Sequence, residues 1–291
     1  MKKTCIVLTV LLLLALGTQA MASPEVSPAG DWWNILLLGS DSRDGTYERT
    51  DSMIILSISK AAGKARMTTV LPGTWVDFSG TQDQSAIGTA NALGGPAMAV
   101  ETVNACFGTD IKDYALINMA GLVDVIDQIG GIDIQVTADE REWLNGAVQD
   151  YLSIFGDYEG ETSLDRSGDS VHLNGLLAIT FCRSNATGPD DAVTLRQRRV
   201  LLAVLGKLKA VDPAQLMSVV MSAFEHVETS LSIADVLSLA SVGLSFGVDS
   251  IEQCRIPVDG TFELDATDGS IRADFDANRK LLREFIYGKD Q

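Results

Sequence analysis

The feature that most constrains the fold is a repeated change of hydrophobic period along the chain. Short runs rich in β-branched and large apolar residues recur at 35–38, 53–59, 66–71, 114–118, 132–136 and 253–258. Each has the length and composition of a strand. Between them the apolar spacing switches to that of helices. In GGPAMAVETVNACFG, Met98, Val100, Val103 and Phe107 share roughly one face behind Pro96, a residue suited to a helix start. MAGLVDVIDQIGG runs into Gly130 and Gly131, a natural helix stop. TLRQRRVLLAVLGKLKA carries Leu201, Val204, Leu205 and Leu208 at i, i+3, i+4, i+7 spacing, and helical patterns return at 212–227, 232–246 and 273–288. This alternation predicts an α/β fold, an αβα sandwich around a mixed central β-sheet. The acidic stretch 139–170 is expected as an inserted loop or helix on the rim. No internal repeat or linker is visible, so 33–290 is expected to be a single domain.

Residues 1–22 have the pattern of a secretory signal peptide: Lys2 and Lys3, an apolar run over 5–16, then Ala20-Met21-Ala22. The run is short for a membrane span of roughly 20 residues. Cleavage before Ser23 is expected, with an uncleaved N-terminal anchor as the alternative, and 23–32 reads as a short tether. The protein is therefore expected outside the cytoplasm, at the cell wall or membrane surface. Net charge is −17, and loss of the two leader lysines takes it to −19. A chain so acidic is not expected to bind nucleic acid, where Lys and Arg must neutralise phosphates. Nor should it adhere to an anionic membrane by electrostatics. The mature chain has three cysteines, Cys106, Cys182 and Cys254, none at a metal-binding spacing. If a disulfide forms, Cys106–Cys254 is the expected pair.

The first two strand-like runs flank a segment dense in opposite charges: Asp41, Arg43, Asp44, Glu48, Arg49 and Asp51. A surface turn needs one or two charges at most; a metal or phosphate site would use this many. Asp41 and Asp51, one after the first strand and one opening the second, would meet at the same sheet edge. Alternatively Asp41 caps a turn and Asp51 pairs with Arg49.

Five pieces in order settle the direction: the strand ending GSDSR in NILLLGSDSRDG, the RTD that opens the next strand in ERTDSMIILSI, the GG-led helix ending TVN, the turn DQIGG, and the helix carrying RQ, which follows FCRSN. Together they resemble the LytR-CpsA-Psr family over about residues 33–290. The resemblance implies extracytoplasmic transfer of a glycopolymer, of teichoic acid or capsular polysaccharide type, from a polyprenyl pyrophosphate carrier to peptidoglycan. It implies Mg2+ and arginines that hold the pyrophosphate. It also implies an apolar tunnel for the lipid, which would keep the protein close to the membrane. On this chain the family's catalytic positions fall on Asp41, Asp51, Arg183 and Gln197, with Asp41 and Asp51 as the metal ligands. Pyrophosphate contacts fall on Arg43, Arg49, Arg183 and Arg196. The tunnel is expected from Leu116, Leu122, Val123, Ile126, Leu201, Val204 and Leu205. Thr194 and Gln197 also have capping-box spacing, a plain structural reason for the glutamine. Arg198 and Arg199 are expected on a solvated face.

The chain departs from the family where cations are expected. The turn after the third strand reads LPGTW, Leu71 to Trp75, with no arginine; Asn185 and Val193 stand at two more arginine positions. Each charge-assisted hydrogen bond is worth about 1.5–3 kcal/mol, so the losses keep other outcomes open. One is a module that binds polyprenyl lipid or wall fragments without efficient transfer; another is hydrolysis of the carrier pyrophosphate. A DNA-binding regulator is opposed by the leader and the acidic balance.

Overall fold

The protein was analysed as a computed structural model that describes residues 32–40, 47–59, 61–78, 84–155, 158–184, 192–210, 217–219, 221, 226–245 and 250–288. In chain order the strands are β1 (Trp32–Ser40), β2 (Thr50–Ser59), β3 (Lys64–Val70), β4 (Trp75–Asp77) and β5 (Gln84–Ala86). Helix α1 (Ala90–Phe107), β6 (Asp113–Asn118), α2 (Met119–Gln128), β7 (Ile132–Val136) and α3 (Ala138–Phe155) follow. Then come β8 (Gly168–Leu173), α4 (Gly175–Cys182), α5 (Ala192–Ala210), β9 (Val227–Thr229) and α6 (Ile233–Ser245). The chain closes with β10 (Glu252–Ile256), β11 (Phe262–Leu264), β12 (Ile271–Ala273) and α7 (Phe275–Tyr287).

Six strands form the central sheet in the order β10-β3-β2-β1-β6-β9. It is mixed: β1 is antiparallel to β2 and parallel to β6, while β10 runs parallel to β3. Because side chains alternate along a strand, each strand feeds two cores. Leu36, Leu38, Met53, Ile55, Leu116 and Ile256 point to one face, against Val103 and Phe107 of α1 and Leu282 and Ile286 of α7. The opposite face turns to α2, α4 and α5, and a second core there gathers Ile126, Leu144, Leu177, Phe181 and Val204. The αβα sandwich predicted from periodicity is the observed fold.

Several local readings differ. The α1 pattern is broken at Gly94 and Gly95, whose φ/ψ are non-helical, so the regular helix starts at Pro96. Gly95 sits at φ +71°, and a Cβ there would lie 2.9 Å from the Tyr47 ring. Residues 132–136 form a strand as expected, but it pairs with β8 in a separate two-stranded sheet. Of the loop or helix expected at 139–170 the structure shows a helix, α3, and the segment then runs into the start of β8. Most of the helical pattern at 212–227 lies outside the described residues. The expected disulfide is not formed: Cys106, Cys182 and Cys254 are free thiols, and burial pushes Cys182 up to about 12.

Helix α4 is buried on every side, the signature of a helix inside a core. Asn174 caps it, accepting from Leu177 N at 2.9 Å, and Asp127 Oδ1 accepts from Gly175 N at 2.6 Å. A Cβ on Gly175 would lie 2.3 Å from the Val123 carbonyl oxygen, so only glycine lets α2 and α4 approach this closely. This fixed helix ends at Arg183, its C-cap.

Candidate functional site

Asp51 reaches the site through a β-bulge. Gly39 pairs with Ser52 but Ser40 pairs with Thr50, so Asp51 is the extra residue on β2. Strict alternation would turn Asp51 toward the α1 core, because Ser52 faces the other way. The bulge instead brings Asp51 and Ser52 to the same side, where both line one cavity. Bulges re-aim side chains in this way, often beside sites. Arg183 Nη1 donates to Asp51 Oδ2 at 3.1 Å and lies 3.9 Å from Met119 Sδ. Gln197 Nε2 approaches the Asp51 carbonyl oxygen at 3.4 Å. Its buried Oε1 has no hydrogen-bond partner among the described residues.

Two cavities meet at this trio. One, of about 280 Å³, lies between the sheet and α2, α4 and α5 and is walled mainly by apolar side chains, among them Leu37, Ile117, Leu122, Ile179, Leu201 and Val204. The other, of about 700 Å³, opens beyond Leu71 to Gly73, Trp143, Val193 and Arg255. Asp51, Arg183 and Gln197 line both. A charged carboxylate–guanidinium pair therefore stands at the boundary between an apolar chamber and a larger one whose wall mixes apolar side chains with Arg255, Asp259 and Thr194.

The other site residues named from sequence scatter. Asp41 and Arg43 lie outside the described residues, as does Asn185. Arg49 is exposed just before β2. Arg196 is 3 % exposed and faces away from both cavities; its Nε donates to Glu140 Oε1 at 2.9 Å and its Nη1 to Ser184 O at 2.8 Å. Helical geometry explains this, since Arg196 and Gln197 are successive residues about 100° apart around α5. Arg198 and Arg199 are not on a solvated face. Arg198 is buried against the Cys254 carbonyl, and Arg199 joins Glu140 at 3.1 Å and stacks 5.0 Å from the Phe181 ring. Helix α5 begins at Ala192, so Thr194 lies inside its first turn and is not its cap. A capping box does exist, elsewhere: Thr137 N donates to Glu140 Oε2 and Glu140 N to Thr137 Oγ1 at the start of α3. Burial alone would raise the Glu140 carboxyl. The Thr137 N–H and the two guanidiniums outweigh it and hold the group below the usual carboxylate range.

Of the seven residues expected in a tunnel, Leu122, Leu201 and Val204 line the apolar cavity. Leu116 does not, because Ala115 and Ile117 face the cavity and strand alternation sends Leu116 into the α1 core. Val123 and Ile126 are packed between helices, and Leu205 is half-buried off the cavity wall. Val125, Val200 and Val227 take their place. Arg255 in the larger cavity had no sequence signal beyond its own charge.

The match of residues 17–281 to the model of the LytR_cpsA_psr family joins this geometry to a lineage. The chain belongs to the LytR-CpsA-Psr family. It is 26 % identical over 251 residues to a Bacillus cereus protein named polyisoprenyl-teichoic acid--peptidoglycan teichoic acid transferase TagU, covering 84 % of this chain and 73 % of the relative. It is 29 % identical to Biofilm regulatory protein A of Streptococcus mutans over 79 % of this chain, and spans 57 % of that protein's length. Its fold matches the crystal structure of B. subtilis TagV with a TM-score of 0.69 at 23 % identity, covering 88 % of this chain and 97 % of the other.

Proposed function

We propose that this LytR-CpsA-Psr protein transfers a glycopolymer, of teichoic acid or capsular type, from a polyprenyl pyrophosphate carrier to peptidoglycan outside the cytoplasm. The observation that carries this reading is the shared wall: Asp51, Arg183 and Gln197 line an apolar chamber and a larger one of mixed lining at once. A polyprenyl pyrophosphate sugar has the same layout, with an apolar tail, two phosphates and a polar glycan. The isoprene units nearest the phosphates would occupy the apolar chamber and the glycan the larger one. The family membership and the TagU name agree with that assignment.

In the reaction, an acceptor hydroxyl attacks the sugar-linked phosphorus. The new P–O bond forms as the pyrophosphate P–O bond breaks, and prenyl monophosphate leaves. Arg183 holds phosphate oxygens, a task suited to guanidinium geometry, with Arg43 and Arg49 as the further cations that the family resemblance assigns to the pyrophosphate. Gln197, whose Nε2 approaches the Asp51 carbonyl oxygen, positions the Asp51 backbone beside the incoming hydroxyl. Asp51 takes the hydroxyl proton. Mg2+ takes few protein carboxylates and completes its shell with phosphate oxygens and water. Asp51 at the bulge fits that donor set, with Asp41 as the second ligand; when bound, the ion would neutralise charge on the pyrophosphate. Residues 1–22 act as the export leader and 23–32 as the tether of the catalytic domain.

A second reading draws on the cavity wall itself. Gly73 and Val193 line the larger chamber where the family resemblance leads one to expect arginines. A chain of this kind would bind the lipid and transfer poorly. The test is binding of a polyprenyl pyrophosphate with and without Mg2+, followed by transfer to peptidoglycan fragments, for the protein and for Asp51→Ala and Val204→Trp. Transfer that needs Mg2+ and vanishes in Asp51→Ala supports ligation. Binding indifferent to Mg2+ and Asp51, yet lost in Val204→Trp, supports the lipid-binding module.

A further inference from the structure

We infer that Arg255 is a second anion-binding cation of the site, supplied by the C-terminal strand in place of the arginine absent from the turn after β3. The inference rests on the pyrophosphate reading above. Strand alternation sets its direction: Ile256 packs in the α1 core and Cys254 against it, so Arg255 between them points to the opposite face. There it lines the same cavity as Asp51, Arg183 and Gln197. Register sets its height. Strands β10 and β3 run parallel with Arg255 opposite Thr69, and Leu71 N donates to Ile256 O at 2.9 Å. The ends of the two strands therefore open into one chamber. Strand β3 delivers Leu71, Pro72 and Gly73 to it, none able to bind an anion through its side chain, and β10 delivers a guanidinium.

The surroundings hold that guanidinium ready for exchange. Arg255 lies 5.8 Å from the Phe262 ring and pairs with Asp259, four residues on. The Arg255 side chain is 18 % exposed and the Asp259 side chain 83 %. An exposed carboxylate is cheaply returned to water, whereas the half-enclosed guanidinium stays in the chamber. A phosphate entering the chamber would displace Asp259 from Arg255. Among the described residues, Arg183 and Arg255 are the arginines of this cavity's wall.

The full-length protein in detergent is titrated with geranylgeranyl pyrophosphate, geranylgeranyl monophosphate, geranylgeraniol and inorganic pyrophosphate. Arg255→Gln is expected to weaken the prenyl pyrophosphate about tenfold, the effect of one charge-assisted contact. Arg255→Lys should recover part of the loss, and Asp259→Asn should tighten binding. Geranylgeraniol, which lacks phosphate, should bind all variants alike and so reports that each is folded. Inorganic pyrophosphate shows whether the head group is held without its tail. If Arg255→Gln and Asp259→Asn leave pyrophosphate affinity unchanged while Arg183→Gln loses it, the assignment of Arg255 is overturned and the pyrophosphate reading stands. If the protein binds geranylgeraniol as tightly as its pyrophosphate, the phosphate site and Arg255's role in it fall together.

Discussion

Replacing Glu140 by alanine tests whether the RQ arginine is architecture or ligand. Arg196 and Glu140 have side chains only 4 % and 7 % exposed, with Nε to Oε1 at 2.9 Å, and Arg199 shares the same carboxylate. Removing one member of a buried pair costs about 3–5 kcal/mol, because a charge is left in low dielectric. The Thr137 capping contacts are lost with it. At roughly 2–4 °C per kcal/mol for domains of comparable size, Tm should fall by about 6–20 °C. Glu140→Gln should cost less, since it keeps an acceptor. The pH dependence has a definite sign. The folded-state carboxyl lies below its ordinary value, so its stabilisation is complete above the unfolded-state pKa of about 4.3 and is lost as pH falls through the folded one. The gap between the protein and Glu140→Gln should therefore be full at neutral pH and close in acid, as read by urea titration across pH. In parallel, Arg196→Met should lose stability and keep its affinity for geranylgeranyl pyrophosphate. A stable Arg196→Met that fails to bind would refute the reasoning and return Arg196 to the pyrophosphate.

Two further outcomes follow from packing. Gly175→Ala places a Cβ 2.3 Å from the Val123 carbonyl oxygen; α2 and α4 must separate, at about 1–3 kcal/mol, and the shifted α4 should weaken binding through Arg183, measurable by denaturation beside ligand titration. Cys182 is buried on the wall of the apolar cavity with its thiol pushed up to about 12, so iodoacetamide at neutral pH should leave it unlabelled until the protein is denatured; fast native labelling by peptide mass spectrometry would contradict its burial.

The layers were legible in the local hydrophobic periods. Strand-like and helix-like periods depend on neighbours a few residues apart, and they placed β1, β2, β3, β6 and α2 correctly. Pro96 marked the regular start of α1, and the RTD segment and FCR marked Asp51 and Arg183, because short motifs keep their spacing whatever the tertiary path. Direction and company came from contacts between distant segments. Nothing local to β2 announces that a bulge turns Asp51 away from the α1 core. Nothing in RQRR shows that successive residues of α5 point to different places, Arg196 to Glu140 and Gln197 to the cavity. Leu116 has the apolar character of a tunnel residue, and strand alternation puts it on the wrong face. Arg255 is more than 70 residues from Arg183 along the chain, and only the parallel pairing of β10 with β3 brings it to the same chamber. Periodicity is a property of neighbours in sequence; a site is a property of neighbours in space, and here four separate elements had to meet before it existed.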